Sequence, residues 1–123
     1  MKNPVVHFEI QSQDPAALRA FYGELFDWQM DVHDAIDYSV ITTKAPDDPD
    51  GINGGIMHMK EGGPTALTFY VQVDDIEASL KRAVELGATV IVPVTTIPKT
   101  VTFALFADPQ GNCIGMAASQ IPD

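Results

Sequence analysis

Hydrophobic and polar positions alternate from Val5 to Gln11. Val6, Phe8 and Ile10 fall on one side and His7, Glu9 and Gln11 on the other. Period two predicts a strand with one face on a core. Asp14-Pro15 then supplies an N-cap acceptor and a proline at the first helical position. Leu18, Phe21, Tyr22, Leu25 and Phe26 follow at helical spacing, which predicts one apolar stripe facing the core. Asp27-Trp28 ends that helix and leads into a strand to about Val32, and Tyr38 to Thr43 is a second strand rich in β-formers. Residues 44–53 read as an exposed loop, Gly54 to Met59 as a short strand, and Glu61 to Pro64 as a linker.

The pattern then restarts. Leu67 to Val73 alternates, with Leu67, Phe69, Val71 and Val73 expected on the core and Thr68, Tyr70 and Gln72 opposite. Asp74 and Asp75 cap a helix over Ile76 to Leu86 that stops at Gly87. A β-branched strand over Thr89 to Val94 ends near Pro98, and strands follow over Val101 to Ala107 and Cys113 to Ala118, the last after an Asp108-Pro109-Gln110-Gly111-Asn112 turn. A shift of 61 residues superposes the halves: Phe8 on Phe69, Gln11 on Gln72, Asp14 on Asp75, Ala17 on Ala78, Glu24 on Glu85 and Leu25 on Leu86. It also sets His7 on Thr68 and Glu9 on Tyr70. The reading is an internal repeat, βαβββ twice, with module one over 1–60 and module two over 65–123 of a single domain.

Composition narrows the function classes. Apolar residues are 46% and charged residues 20% of 123, an ordinary globular balance. The net charge of −10 opposes nucleic acid and anionic lipid and favours cationic ligands. No apolar run approaches the ~18 residues of a membrane span, and the N-terminus lacks the apolar region of a signal peptide. Cys113 is the only cysteine, so no intrachain disulfide forms. A cytoplasmic protein without membrane or nucleic-acid partners is the expectation.

The opening Val5-Val6-His7-Phe8-Glu9-Ile10 and Asp14 carry a resemblance, together with Phe21-Tyr22 and Phe26-Asp27-Trp28. Gly54-Gly55-Ile56-Met57, Gly87-Ala88 and Asp108-Pro109-Gln110-Gly111-Asn112 complete it. In order and spacing the chain resembles the vicinal-oxygen-chelate superfamily of glyoxalases, bleomycin-resistance proteins and dihydroxybiphenyl dioxygenases, with the lactoylglutathione-lyase-related subgroup nearest. The resemblance implies an α+β fold in which two βαβββ modules form a cupped mixed sheet. It also implies a homodimer and a small-molecule ligand. Metal-dependent members place one ligand on the first and one on the last strand of each module. Those positions fall on His7, near Ile56, Met57 or His58, on or near Thr68, and on Gly115. Only the first carries a matching residue outright, which disfavours a true glyoxalase I.

Two readings of the site stay open. In the first, His7 with Glu9 or His58 holds one divalent metal (zinc, manganese, nickel or iron), because imidazole with carboxylate suits such ions. That protein is a lyase, isomerase or dioxygenase of a vicinally oxygenated metabolite. In the second, His7, Glu9, Thr68, Tyr70, Gln72 and Cys113 line a metal-free pocket that binds a drug or metabolite. The acidic 47–53 segment fails the EF-hand template, since Pro46 and Met57 stand where the first and last ligands belong.

Overall fold

A computed structural model describes residues 2–59 and 66–123. The linker expected at Glu61 to Pro64 lies outside them. The elements are β1 (Val5–Ser12), α1 (Pro15–Phe26), β2 (Gln29–His33), a short 3-10 turn (Asp34–Ile36), β3 (Tyr38–Thr42) and β4 (Gly54–His58), then β5 (Leu67–Val73), α2 (Ile76–Glu85), β6 (Thr89–Ile97), β7 (Val101–Ala107) and β8 (Cys113–Ala118). The α+β class and the doubled βαβββ order follow the expectation. The chain divides into two compact units. One is His7–Thr68; the other is Phe69–Asp123 together with the residues up to Val6.

In the His7–Thr68 unit the strand order is β2-β3-β4-β1. β1 runs parallel to β4, and β4 and β2 run antiparallel to β3. The parallel pair needs a crossover, and α1 supplies part of it. Asp14 caps α1 by accepting from the Ala17 amide at 3.2 Å, and Asp27 ends it in the left-handed conformation. Ile41 and Ile56 are fully enclosed, and Ser39 beside them takes a 3.0 Å hydrogen bond from Arg19 of α1. The sequence placed the whole stripe of α1 on the core. Instead Phe21, Leu25 and Phe26 are each more than half exposed. The aromatic residues pack on one another: Tyr22 and Phe26 flank Trp28 at ring distances of 5.6 and 4.9 Å, and Trp28 meets Phe8 at 5.9 Å. Twelve helical residues over short strands leave the outer part of a wide stripe with nothing to cover it.

In the second unit the order is β5-β8-β7-β6, with β5 parallel to β8 and the rest antiparallel. Asp75 caps α2 through the Ala78 amide at 3.0 Å, repeating the Asp14 and Ala17 contact. Ile76 and Leu80 of α2 pack with Val73, Ala104 and Met116, and Val71, Val94 and Phe106 flank them. The Asp108 side chain closes the last turn by accepting from the amides of Gln110 and Asn112 at 2.8 and 2.9 Å. β6 ends at Ile97, just before Pro98 as expected, and runs through Pro93 and two register shifts against β7. A bulged outer strand tolerates the proline because no ladder bond is demanded of it there.

On β5 the expected facing holds only at one end. Val73 is buried under α2, whereas Leu67 is 76% and Phe69 41% exposed; Thr68 and Tyr70 are buried instead. The alternation is intact, but α2 covers only the last residues of the strand.

Candidate functional site

Strand register assembles the site. Glu9 of β1 pairs with Gly55 of β4, Gly55 with Val40 of β3, and Met57 with Tyr38. Directly paired residues share a face. His7, Glu9, Gln11, Gly55, Met57, Tyr38 and Val40 therefore lie on one face of the sheet, opposite Ile41, Ile56 and α1. Glu9 and Gln11 are buried there, with 3% and 7% exposure.

Tyr38 organises this face. Its ring lies across Gly55 so closely that any β-carbon on Gly55 would overlap the phenol. Its hydroxyl is 2.7 Å from His7 Nε2 in a hydrogen bond, and the two rings are near parallel. Burial first, then the negative charge and hydrogen bond of Glu9, push the Tyr38 phenol far above its ordinary range. Burial pulls His7 below 6.5, so its imidazole is neutral at pH 7.

The second unit repeats the motif with other residues. Tyr70 pairs with Gly115, and its ring covers that glycine as Tyr38 covers Gly55. Gln72 and Cys113 share the Tyr70 side of the strands, since Gln72 pairs with Ala117 and Cys113 lies two residues before Gly115. Thr68 is buried, and its hydroxyl has no hydrogen-bond partner among the described residues.

His58 departs from this arrangement. It follows Ile56 by two residues and so points to the helix side, where its Nδ1 contacts the Asp37 carboxylate at the exposed edge. It does not join His7 and Glu9. The β4 position matching Gly115 is Gly55, one residue before the expected Ile56 to His58 range. The reason is register: Glu9 pairs with Gly55 as Tyr70 pairs with Gly115, so the offset between last strands is one less than between first strands. Both last-strand ligand positions are thus glycines under tyrosine rings. Among the described residues no three histidine, cysteine, aspartate or glutamate side chains converge as a metal would require. Within the His7–Thr68 unit, His7 and Glu9 are two donors on one face, where catalytic zinc takes three protein ligands.

The sequence reading overlooked Tyr38. The available signal was Gly54-Gly55 inside a strand, because a strand glycine often marks close approach by a neighbouring group.

Comparison with known proteins places the chain. A family model described as a glyoxalase-like domain matches residues 7–115. The chain belongs to this family. A Mycobacterium tuberculosis protein named as a candidate glyoxylase, CFP32, is 25% identical over 112 residues; the match covers 88% of this chain but only 42% of that protein. The chain thus spans less than half the length of this relative. A glyoxylase-like domain-containing protein of Didymella fabae is 28% identical over 108 residues, covering 85% of this chain and 84% of the relative. Among solved structures, a Vibrio splendidus member of the glyoxalase/bleomycin resistance/dioxygenase superfamily superposes with TM-score 0.62 at 15% identity, covering 95% and 98% of the two chains. Streptomyces coelicolor methylmalonyl-CoA epimerase, in complex with 2-nitronate-propionyl-CoA, gives 0.65 at 13% identity over 95% and 97%. These establish the vicinal-oxygen-chelate fold. Members of this superfamily often bind a divalent metal. Among the described residues, no helix of this chain is long and apolar enough to cross a membrane.

Proposed function

We propose that this glyoxalase-like domain is a metal-independent small-molecule-binding protein whose ligand rests on the polar face of His7, Glu9, Gln11 and Tyr38. The observation that carries this reading is the Tyr38 ring over Gly55. It puts a phenol where a last-strand side chain would otherwise project, and it ties up His7 Nε2. A pocket built from imidazole, carboxylate, amide and phenol binds by hydrogen bonds and stacking. In the second unit Tyr70, Gln72 and Cys113 form the corresponding surface, and Thr68 adds a buried hydroxyl to the first. The negative net charge favours a cationic or donor-rich ligand over an anionic one. The protein acts as a homodimer in this proposal, supported by the exposed Phe21, Leu25 and Phe26 of α1.

The test is elemental analysis of chain purified without chelator or affinity tag, followed by thermal-shift screening. Absence of stoichiometric metal, with stabilisation by a small organic ligand that is lost in Tyr38→Ala, is expected. Stoichiometric zinc, manganese, nickel or iron that disappears in His7→Ala overturns it in favour of a metal-dependent lyase, isomerase or dioxygenase. The screen includes coenzyme A thioesters, because methylmalonyl-CoA epimerases share the fold.

A further inference from the structure

The helix side of β1 carries a cleft that the polar face does not use. Ile10 pairs with Ile56 and Ser12 with His58, so both point toward the α1 side, away from His7 and Glu9. Together with Ala17 and Leu18 of α1 and Leu67 of β5 they line a cleft of about 610 Å³, and Asp14 joins the lining. Every residue of this lining belongs to the His7–Thr68 unit. The sequence explains the gap. The 61-residue shift that relates the halves sets Ser12 on Val73 and Arg19 on Leu80. Val73 and Leu80 fill the core of the second unit. Ser12 is smaller, and Arg19 reaches to β3, where it donates to Ser39 at 3.0 Å.

We propose that this cleft is a second ligand site, for a small organic cation with an apolar body. It goes beyond the polar-face reading and does not depend on it. Its size falls within the range of small-molecule pockets, about 300–1,000 Å³. Ile10, Ala17, Leu18 and Leu67 offer an apolar bed. Leu67 is 76% exposed, so an apolar body laid there removes from water a surface that the fold leaves wet. Charge selects the head group. Among the described residues Asp14 is the only ionisable side chain on the lining, and no lysine, arginine or histidine joins it. Its Oδ1 accepts from the Ala17 amide at 3.2 Å, and its Oδ2 makes no hydrogen bond among the described residues, which leaves that oxygen to an ammonium group. The α1 dipole offsets about half a charge at this end of the helix. The net charge of −10 keeps the surrounding field negative and draws cations toward the chain.

The experiment titrates the full chain, labelled with nitrogen-15, with three probes that share one body: phenylbutylamine, phenylbutanol and phenylbutyrate. Backbone amide spectra locate each probe. The amine is expected to move the Ala17, Leu18 and Leu67 signals with a millimolar Kd, and to leave those of His7, Glu9 and Tyr38 in place. The alcohol should bind there more weakly, and the carboxylate more weakly still. Asp14→Asn removes the charge and keeps the helix cap, because asparagine caps as well as aspartate. It should weaken the amine about two- to fivefold, as loss of an exposed ion pair does, and leave the alcohol unchanged. Leu67→Ser, at a largely exposed position, should weaken amine and alcohol alike. Equal affinity for the three probes overturns the proposal, as do shifts confined to the polar face, shifts spread evenly over the surface, or no shift at all; these arms use the native chain alone. So does an unchanged amine affinity in a folded Asp14→Asn chain. Movement of the Ala17, Leu18 and Leu67 signals when the protein alone is diluted also overturns it, and makes a second copy the occupant. Ligands of the polar face are read from the His7, Glu9 and Tyr38 signals, so the two readings fail separately.

Discussion

Tyr38 lies across Gly55, its ring filling the space where a side chain on β4 would stand. Neither residue is dispensable to the other, and the pair gives the first prediction. Gly55→Val forces the phenol off the sheet and away from His7, costing on the order of 1–3 kcal/mol as overpacking does. Pairing it with Tyr38→Ala should recover part of that loss. Urea unfolding of the two single variants and the double variant checks this; additive losses would mean that the ring and the glycine do not share space.

Acidification should weaken the fold through His7. Its pKa in the folded chain is held below the ordinary 6.5 by burial. As pH falls through 6.5 the unfolded chain takes up a proton before the folded one does. Stability present above 6.5 is therefore lost as pH drops toward the folded value, and this contribution is constant below it. Unfolding free energies between pH 8 and 5 should show a steeper decline for the native chain than for His7→Gln. Parallel profiles would contradict it.

The two helix caps should behave as equivalent, independent parts. Asp14→Ala and Asp75→Ala each remove a side-chain acceptor for an amide three residues on, at a cost of about 1 kcal/mol. The double variant should lose the sum, because the caps serve different units. Denaturant melts of all three variants measure it.

The helices should differ sharply in what their leucines contribute. Leu80 is buried in the core of the second unit, so Leu80→Ala should cost about 2–5 kcal/mol. Leu25 is 57% exposed, and Leu25→Ala should change unfolding free energy by less than about 1 kcal/mol. A change from dimer to monomer in light scattering of Leu25→Lys would show that a second copy covers this face.

Much of the fold was legible because period-two and period-3.6 patterns report directly on which residues share a face. His7, Glu9 and Gln11 do sit opposite Phe8 and Ile10, and both aspartates do cap their helices. Periodicity does not report what covers a face. Leu25, Phe26 and Leu67 carry the right phase yet remain exposed among the described residues. Nor does it fix register, which moved the last-strand position to Gly55 and turned His58 toward Asp37. Tyr38 was hidden for a third reason. Its role depends on a side chain lying sideways over a neighbouring strand, and nothing in its own segment marks that.

The proline and register shifts of β6 bear on how the protein keeps itself apart from its copies. β6 and β2 each end the strand order of their unit, and an open edge is a template for another chain to extend. Pro93 removes an amide from one edge, and the shifts at Val90, Val92 and Thr95 spoil the even spacing a newcomer would need. The other edge is five residues long and carries Asp31 at its centre. Extension of the sheet by a strand from another copy is thereby disfavoured at both outer strands.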